Sequence, residues 1–170
     1  LGIDFDLTEQ NKINRTGHAI ECRLYAEDPS KNFLPSPGKI SKLKIPNVGL
    51  TNIRLDIGVD EGDEISFYYD PMIAKIISKG SNRTESINNM VQYLKEFEIE
   101  GINTNKSFLI SVLQNKTFEE ANFNTKFIEN NLASFVKKKE DILPIKKQDI
   151  TKSKQEYSDK DVKSFEKIIA

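Results

Sequence analysis

The stretch that decides the fold is Gly17–Glu27, GHAIECRLYAE, in which apolar and polar side chains alternate strictly. One alternate set is Ile20, Cys22, Leu24 and Ala26, and the other is Glu21, Arg23, Tyr25 and Glu27. A period of two is the pattern of a β-strand with one buried face. We therefore predict a strand whose inner face belongs to a hydrophobic core and whose outer face meets solvent or a ligand.

Further strands are predicted on the C-terminal side of this stretch. They cover residues 40–45, 52–57, 64–69 and the more apolar 72–78, with turn-rich sequence between them. The sequence NFLPSPGK, residues 32–39, predicts an irregular turn because it holds two prolines and a glycine within four residues.

Helices follow the strands. Asn82 and Glu85 are spaced as a capping pair for a helix that ends near Phe97, and apolar residues recur along it every three or four positions. Two shorter helices are predicted at residues 105–113 and 125–132. Because strands come first and helices later, we predict an α+β fold, a mostly antiparallel sheet with helices packed on one side.

The charge is divided between two regions. The 170 residues carry a net charge of -1, yet residues 136–170 hold ten Lys and seven acidic residues, so this segment is +3 and the rest is -4. The segment is polar and Lys-rich, which is typical of a linker, and we predict that it ends in a short helix capped by Ser158. The first residue is not Met, which indicates a fragment of a longer chain.

Composition excludes several classes of function. A net charge of -1 provides no field that would attract nucleic acid or an anionic membrane. Cys22 and His18 are the only Cys and His, so an internal disulfide or a zinc site is not expected. Neither a phosphate-binding loop nor a dinucleotide fingerprint is present. No apolar run spans a bilayer and no leader is recognisable, so the default location is the cytoplasm.

The polar face of the first strand is the candidate site. Arg23 is flanked by carboxylates, and a guanidinium held in this way is always charged and can grip an anion or stabilise a developing oxyanion. The alternative is a solvent-facing ladder of ordinary ion pairs, which composition alone favours. Asp70, directly before Pro71, could orient an arginine or simply form a turn.

Four motifs carry a resemblance to a known family. GHAIECRLYAEDP, FLPSPGKI, YYDPMIAKIISKG and GINTNKSFL, in this order, closely resemble the C-terminal domain of biotin carboxylase over roughly Gly17 to Leu132. The resemblance implies an ATP-dependent ligase that forms carboxyphosphate from MgATP and bicarbonate and then carboxylates biotin. This is the first half-reaction of acyl-CoA carboxylases of the propionyl-CoA or 3-methylcrotonyl-CoA type. The chain would be inactive alone.

The resemblance also implies roles for individual residues. Arg23 is the expected catalytic residue, bonding bicarbonate or the biotin ureido oxygen and stabilising the biotin anion. Glu21 and Asp70 would support it. Thr125 would lie near the adenine end of the nucleotide, and Arg54 would stand in a subunit contact. No metal ligand is expected in this segment.

The implied organisation has three parts. Residues 1–14 would end the connection from an ATP-grasp domain, 15–135 would form the biotin carboxylase C-terminal domain, and 136–170 would be the linker and the start of a following domain. The expected partners are the preceding N-terminal and ATP-grasp domains, a biotin carrier domain and a carboxyltransferase β subunit. In a eukaryote the location would be the mitochondrial matrix. The alternative is a non-catalytic, split-off module for subunit contact.

Overall fold

The structure is a computed structural model that describes residues 13–46 and 52–136. The strands are β1 His18–Tyr25, β2 Glu27–Asp28, β3 Leu34–Pro35, β4 Gly38–Lys39, β5 Lys42–Lys44, β6 Ile53–Ile57, β7 Glu64–Ile65, β8 Met72–Gly80 and β9 Glu98–Glu100. The helices are α1 Arg83–Glu96, α2 Lys106–Leu113, α3 Lys116–Glu119 and α4 Phe127–Phe135. Most of the predicted N-terminal connection, and the predicted Lys-rich linker and terminal helix after residue 136, lie outside the described residues.

A three-stranded antiparallel sheet is the centre of the fold, with β8 between β1 and β6. Its inner-face rows are Ile20–Ser78–Ile53, Cys22–Ile76–Leu55 and Leu24–Ala74–Ile57. The alternation seen in the sequence therefore holds in all three strands, since the residues between these rows point to the opposite face. The predicted α+β architecture with antiparallel strands is confirmed.

Helix α1 covers the inner face of the sheet. Its buried residues are Ser86, Ile87, Met90, Val91, Tyr93 and Leu94. Asn82 caps the helix as predicted, because its Oδ1 accepts the Glu85 N–H at 2.9 Å, whereas the Glu85 carboxylate accepts from Ser81 N–H and not from Asn82. A Cβ on Gly80 would lie 2.7 Å from the Ser86 nitrogen, so glycine permits the close approach of helix and strand.

Two serines join this helix to the sheet through buried hydrogen bonds. The Ser78 hydroxyl donates to the Ser86 carbonyl at 2.8 Å. The Ser86 hydroxyl donates to the His18 carbonyl at 2.7 Å, at the first residue of β1. The beginning of β1 is thus fixed to α1.

The strands β5 and β9 form a separate two-stranded ladder with ion pairs on its exposed side. The Lys42 ammonium lies 2.6 Å from Glu98 and 3.1 Å from Glu100, and Lys44 lies 2.7 Å from Glu98. Hydrogen bonds from Lys42 and then Lys44 lower the pKa of Glu98 to about 2. The predicted strand at 40–45 is confirmed in its centre, whereas β9, only three residues long, was not predicted.

The predicted strand at 64–69 is wrong after Ile65, since β7 contains only Glu64 and Ile65. Its partner β4 pairs Gly38 with Ile65, so the next residue along the partner is Pro37, which has no N–H to donate. Residues 67–69 therefore form an exposed aromatic loop, with relative exposures of 68% for Phe67, 91% for Tyr68 and 81% for Tyr69.

The helices α2, α3 and α4 pack through phenylalanine rings. Neighbouring centroids lie between 4.9 and 6.3 Å apart, and the cluster consists of Phe33, Phe108, Phe118, Phe123, Phe127 and Phe135. Arg83 joins this region to α1, because its guanidinium donates to the Phe118 carbonyl at 2.6 Å and lies 4.7 Å from that ring's centroid. Helix α3 was not predicted, and α4 begins two residues later than predicted.

Candidate functional site

Arg23 lies on the outer face of the central sheet, opposite Lys75 of β8. The register requires this position, because its neighbours Cys22 and Leu24 are both buried in the core. The Arg23 side chain is 58% exposed. The guanidinium therefore lies on the polar face of its strand, as the sequence predicted.

Glu21 holds Arg23 through one nitrogen. The Arg23 Nε donates to Glu21 Oε1 at 3.0 Å, along the same strand and on the same face. This hydrogen bond, followed by that with Tyr25, raises the pKa of Arg23. Glu21 engages Nε and not the two terminal nitrogens, and a guanidinium fork that is 58% exposed can bind a carboxylate-like anion.

Arg54 lies on the same outer face but is held differently. Its Nε donates to Asp56 Oδ1 at 3.1 Å and its Nη2 lies 3.1 Å from Asp56 Oδ2, so the acid grips it in a two-point contact. The side chain is 72% exposed. Arg23 and Asp56 both pair with Lys75, from opposite sides of β8. They are therefore two strand spacings apart, or about 10 Å.

Asp70 lies at the entrance to β8. Its Oδ1 accepts the Met72 N–H at 2.9 Å, which is the turn-forming arrangement that the sequence left open. The negative charge of Asp70 acts on Glu27, whose pKa is raised first by burial and second by that charge. Within residues 13–46 and 52–136, Asp70 and Arg23 form no ion pair. The supporting role of Asp70 stays a prediction.

Thr125 is exposed in the turn that precedes α4. The turn is closed by Asn124, whose Oδ1 accepts the Lys126 N–H at 2.9 Å and whose carbonyl accepts the Phe127 N–H at 3.0 Å. Phe127, which follows the turn, is buried, and its ring packs against Phe118, Phe123 and Phe135. Its proximity to a nucleotide stays a prediction.

Asn105 contacts the site, and sequence reasoning missed it. Its Nδ2 donates to the Arg23 carbonyl at 3.2 Å, and its Oδ1 accepts the Tyr25 N–H at 3.0 Å. Its own N–H donates to the Tyr25 carbonyl at 3.2 Å. It stands in the motif GINTNKSFL, directly before α2, where an asparagine is ordinarily interpreted as a helix cap. A contact made 82 residues along the chain leaves no local signal.

The cysteine and the histidine form no catalytic pair. Cys22 is buried, and burial followed by the charge of Glu21 raises its pKa to about 12. The His18 Nε2 lies 3.2 Å from Arg83 Nη1. A guanidinium only donates, so Nε2 is the acceptor in this contact. The described residues contain no group of three or more Asp, Glu, His or Cys suited to a metal ion. Among the described helices, none is long and apolar enough to span a membrane.

Comparison with known proteins identifies the domain. A family model described as the biotin carboxylase C-terminal domain matches residues 21–130. The chain is 47% identical over 128 residues to biotin carboxylase 1 of Bacillus subtilis (strain 168), covering 75% of this chain and 28% of that protein. It is 44% identical over 122 residues to the mitochondrial propionyl-CoA carboxylase alpha chain of Sus scrofa, covering 71% and 17%.

A solved structure agrees with these sequence matches. The biotin carboxylase domain dimer of Hydrogenobacter thermophilus 2-oxoglutarate carboxylase, in complex with MgADP, ADP and bicarbonate, superposes with a TM-score of 0.69 at 36% identity. The match covers 74% of this chain and 27% of that one, so the chain spans less than a third of the length of its relatives. The family model nevertheless matches well over half of the 170 residues. The chain therefore belongs to the biotin carboxylase C-terminal domain family.

Proposed function

We propose that this domain supplies Arg23 to the site of an ATP-dependent biotin carboxylase, which carboxylates carrier-bound biotin as the first half-reaction of an acyl-CoA carboxylase. The observation that supports this most strongly is the Arg23 guanidinium itself. It is exposed, held at Nε by Glu21 and carried on a strand whose other face is buried in the core.

Arg23 would act through its terminal nitrogens. Biotin, when its carrier domain is docked, supplies the ureido nitrogen that receives the carboxyl group. Arg23 donates hydrogen bonds to an anionic oxygen, either of bicarbonate or of the ureido group, and so stabilises charge that is greatest near the transition state. Glu21 keeps the plane of the guanidinium in one orientation, so little reorganisation is needed when the anion arrives.

The remaining components belong to the rest of the enzyme. We assign the binding of MgATP to the preceding N-terminal and ATP-grasp domains, biotin to a carrier domain and acyl transfer to a carboxyltransferase β subunit. The relatives include a bacterial and a mitochondrial protein. A cytoplasmic or matrix location, and a propionyl-CoA or 3-methylcrotonyl-CoA substrate, are parts of the same proposal.

The test is Arg23→Ala in the full-length carboxylase chain. Biotin carboxylation, measured with labelled bicarbonate, is expected to fall by about 10²- to 10³-fold, the usual cost of removing a preorganised donor. Folding is expected to be almost unchanged, because the side chain is on the exposed face of its strand.

The matched control is Arg54→Ala, which removes an arginine from the same face of the same sheet. Carboxylation is expected to stay within about two-fold of the parent value. Light scattering on this variant tests the predicted subunit contact of Arg54 separately. Near-normal carboxylation by Arg23→Ala would reject the catalytic role and favour a non-catalytic module for subunit contact.

A further inference from the structure

Asn105 makes three hydrogen bonds to the edge of β1 at the position of Arg23. It lies directly before α2, and only 6% of it is exposed. Its side-chain amide bonds the Arg23 carbonyl and the Tyr25 N–H, and its backbone N–H bonds the Tyr25 carbonyl. Both backbone groups of Tyr25 are thus satisfied by one residue from another element.

This arrangement replaces a missing strand. In the described part of the chain, β1 pairs only with β8, so its other edge presents backbone donors and acceptors without a strand partner. Asn105 offers one acceptor and two donors in the order in which a neighbouring strand would offer them. If its amide were removed, the Arg23 carbonyl and the Tyr25 N–H would lose these partners, and strands are free to twist where ladder bonds are absent.

The side-chain amide of Asn105 bonds β1 and does not cap helix α2. Three helices begin after an asparagine, at positions 82, 105 and 115. Asn82 and Asn115 accept hydrogen bonds from the first turn of their own helices, at 2.9 Å in each case. Asn105 makes no such capping bond. The preferred use of an asparagine at this position is therefore given up for the contact with β1.

We propose that Asn105 is a positioning residue for Arg23, which keeps the backbone from residue 23 to residue 25 in place so that the guanidinium meets its anion at the correct angle. This rests on the proposed role of Arg23. A shift of about 1 Å in a catalytic group is enough to reduce a rate substantially. Asn105 touches no reacting atom and acts only through β1.

The experiment measures the coupling ratio, the moles of carboxylated biotin formed per mole of ATP hydrolysed, in the full-length carboxylase. This ratio does not depend on how much of the enzyme is folded, so lost stability alone leaves it unchanged. We expect Asn105→Ala to lower the ratio by about five-fold or more, with the KM for MgATP within about two-fold of the parent. Asn105→Asp keeps the acceptor for the Tyr25 N–H but loses the donor to the Arg23 carbonyl. Its coupling ratio is expected to lie between those of the parent and Asn105→Ala.

Ser86→Ala is the matched control. It removes a buried hydrogen bond to the same strand, at the His18 carbonyl instead of the Arg23 carbonyl. It is expected to lower the melting temperature by a similar amount but to leave the coupling ratio unchanged. An equal fall of the coupling ratio in Ser86→Ala and Asn105→Ala would overturn the proposal. It would show that weakening β1 at any point has the same effect as losing the contact at Arg23.

A double-mutant cycle separates this proposal from the function on which it rests. In an Arg23→Lys background, Asn105→Ala is expected to add little further loss, because the two residues act as one unit. Full additivity would contradict positioning through Arg23. If Arg23→Lys itself leaves the coupling ratio at the parent value, the proposed function fails instead.

Amide exchange of the unmodified full-length chain gives a check that needs no variant to fold. The Tyr25 N–H is expected to exchange as slowly as the β1 amides that are bonded to β8, since its acceptor is the buried Asn105 amide. Exchange at the rate of an exposed loop amide would show that the contact does not persist and would overturn the proposal.

Discussion

Arg23 and Arg54 are the same residue type on the same face of one sheet, yet their guanidinium groups are held in different ways. Each lies two residues from an acid on its own strand, Glu21 on β1 and Asp56 on β6. Asp56 engages Arg54 at two nitrogens, whereas Glu21 engages Arg23 only at Nε. An acid two residues away on the same strand can therefore engage an arginine at Nε and a terminal nitrogen together, or at Nε alone.

The backbones under the two arginines also differ. The Arg23 carbonyl and both backbone groups of Tyr25 are bonded by Asn105 from outside the sheet. Among the residues that the structure describes, Arg54 has no comparable contact from another element. These backbone hydrogen bonds stabilise β1 at the position of Arg23, and the proposed positioning of the guanidinium depends on them.

Cys22, the residue before Arg23, reports directly on whether β1 is rigid at this position. Its thiol is buried with a pKa of about 12, against an ordinary 9.0, so at a given pH near neutrality it holds about 10³-fold less thiolate. Alkylation by iodoacetamide, followed by mass spectrometry, is expected to be at least about 10³-fold slower in the native protein than in urea. Raising the pH accelerates it, because the thiolate is the reactive form.

Rapid alkylation of Cys22 under native conditions would mean that β1 opens, which would contradict a rigid strand beneath Arg23. The unfolded protein is the control, since the same thiol is then exposed and has its ordinary pKa.

Glu21 and Asp56, the acids paired with the two arginines, are expected to affect carboxylation differently. Glu21→Gln is expected to reduce biotin carboxylation by about three- to ten-fold, because the amide still accepts the Nε hydrogen bond but no longer holds the guanidinium through charge. Asp56→Asn, the matched change on β6, is expected to have no measurable effect. Both rates are measured in the full-length carboxylase with labelled bicarbonate. Equal effects of the two substitutions would show that Glu21 and Asp56 affect the site only through surface charge.

Much of the fold was predictable because the spacing of apolar residues along the sequence is typical of strands or of helices. The alternation of Gly17–Glu27 predicted β1 and its two faces, and the Asn82 cap with its following apolar stripe predicted α1. These elements succeed because their hydrophobic pattern and their local propensities agree. The family assignment likewise depended on continuous motifs.

The parts that failed depend on contacts between distant segments. Residues 66–69 have the composition of a strand, but Pro37 on the partner strand ends the pairing at Ile65. The role of Asn105 is similarly hidden, because its partners lie at Arg23 and Tyr25 and nothing near it in sequence distinguishes it from a capping residue. The sequence places Asn105 at the start of a helix, but it does not indicate which backbone groups the side chain bonds.

The most direct measurement compares the coupling ratio of Arg23→Lys with that of Arg54→Lys in the full-length carboxylase. Both substitutions keep the positive charge and replace a fork of donors by a point charge. We predict that the moles of carboxylated biotin per mole of ATP fall by about ten-fold or more in Arg23→Lys and stay at the parent value in Arg54→Lys. The same ratio in both variants and the parent would contradict the claim that Arg23 acts on biotin carboxylation.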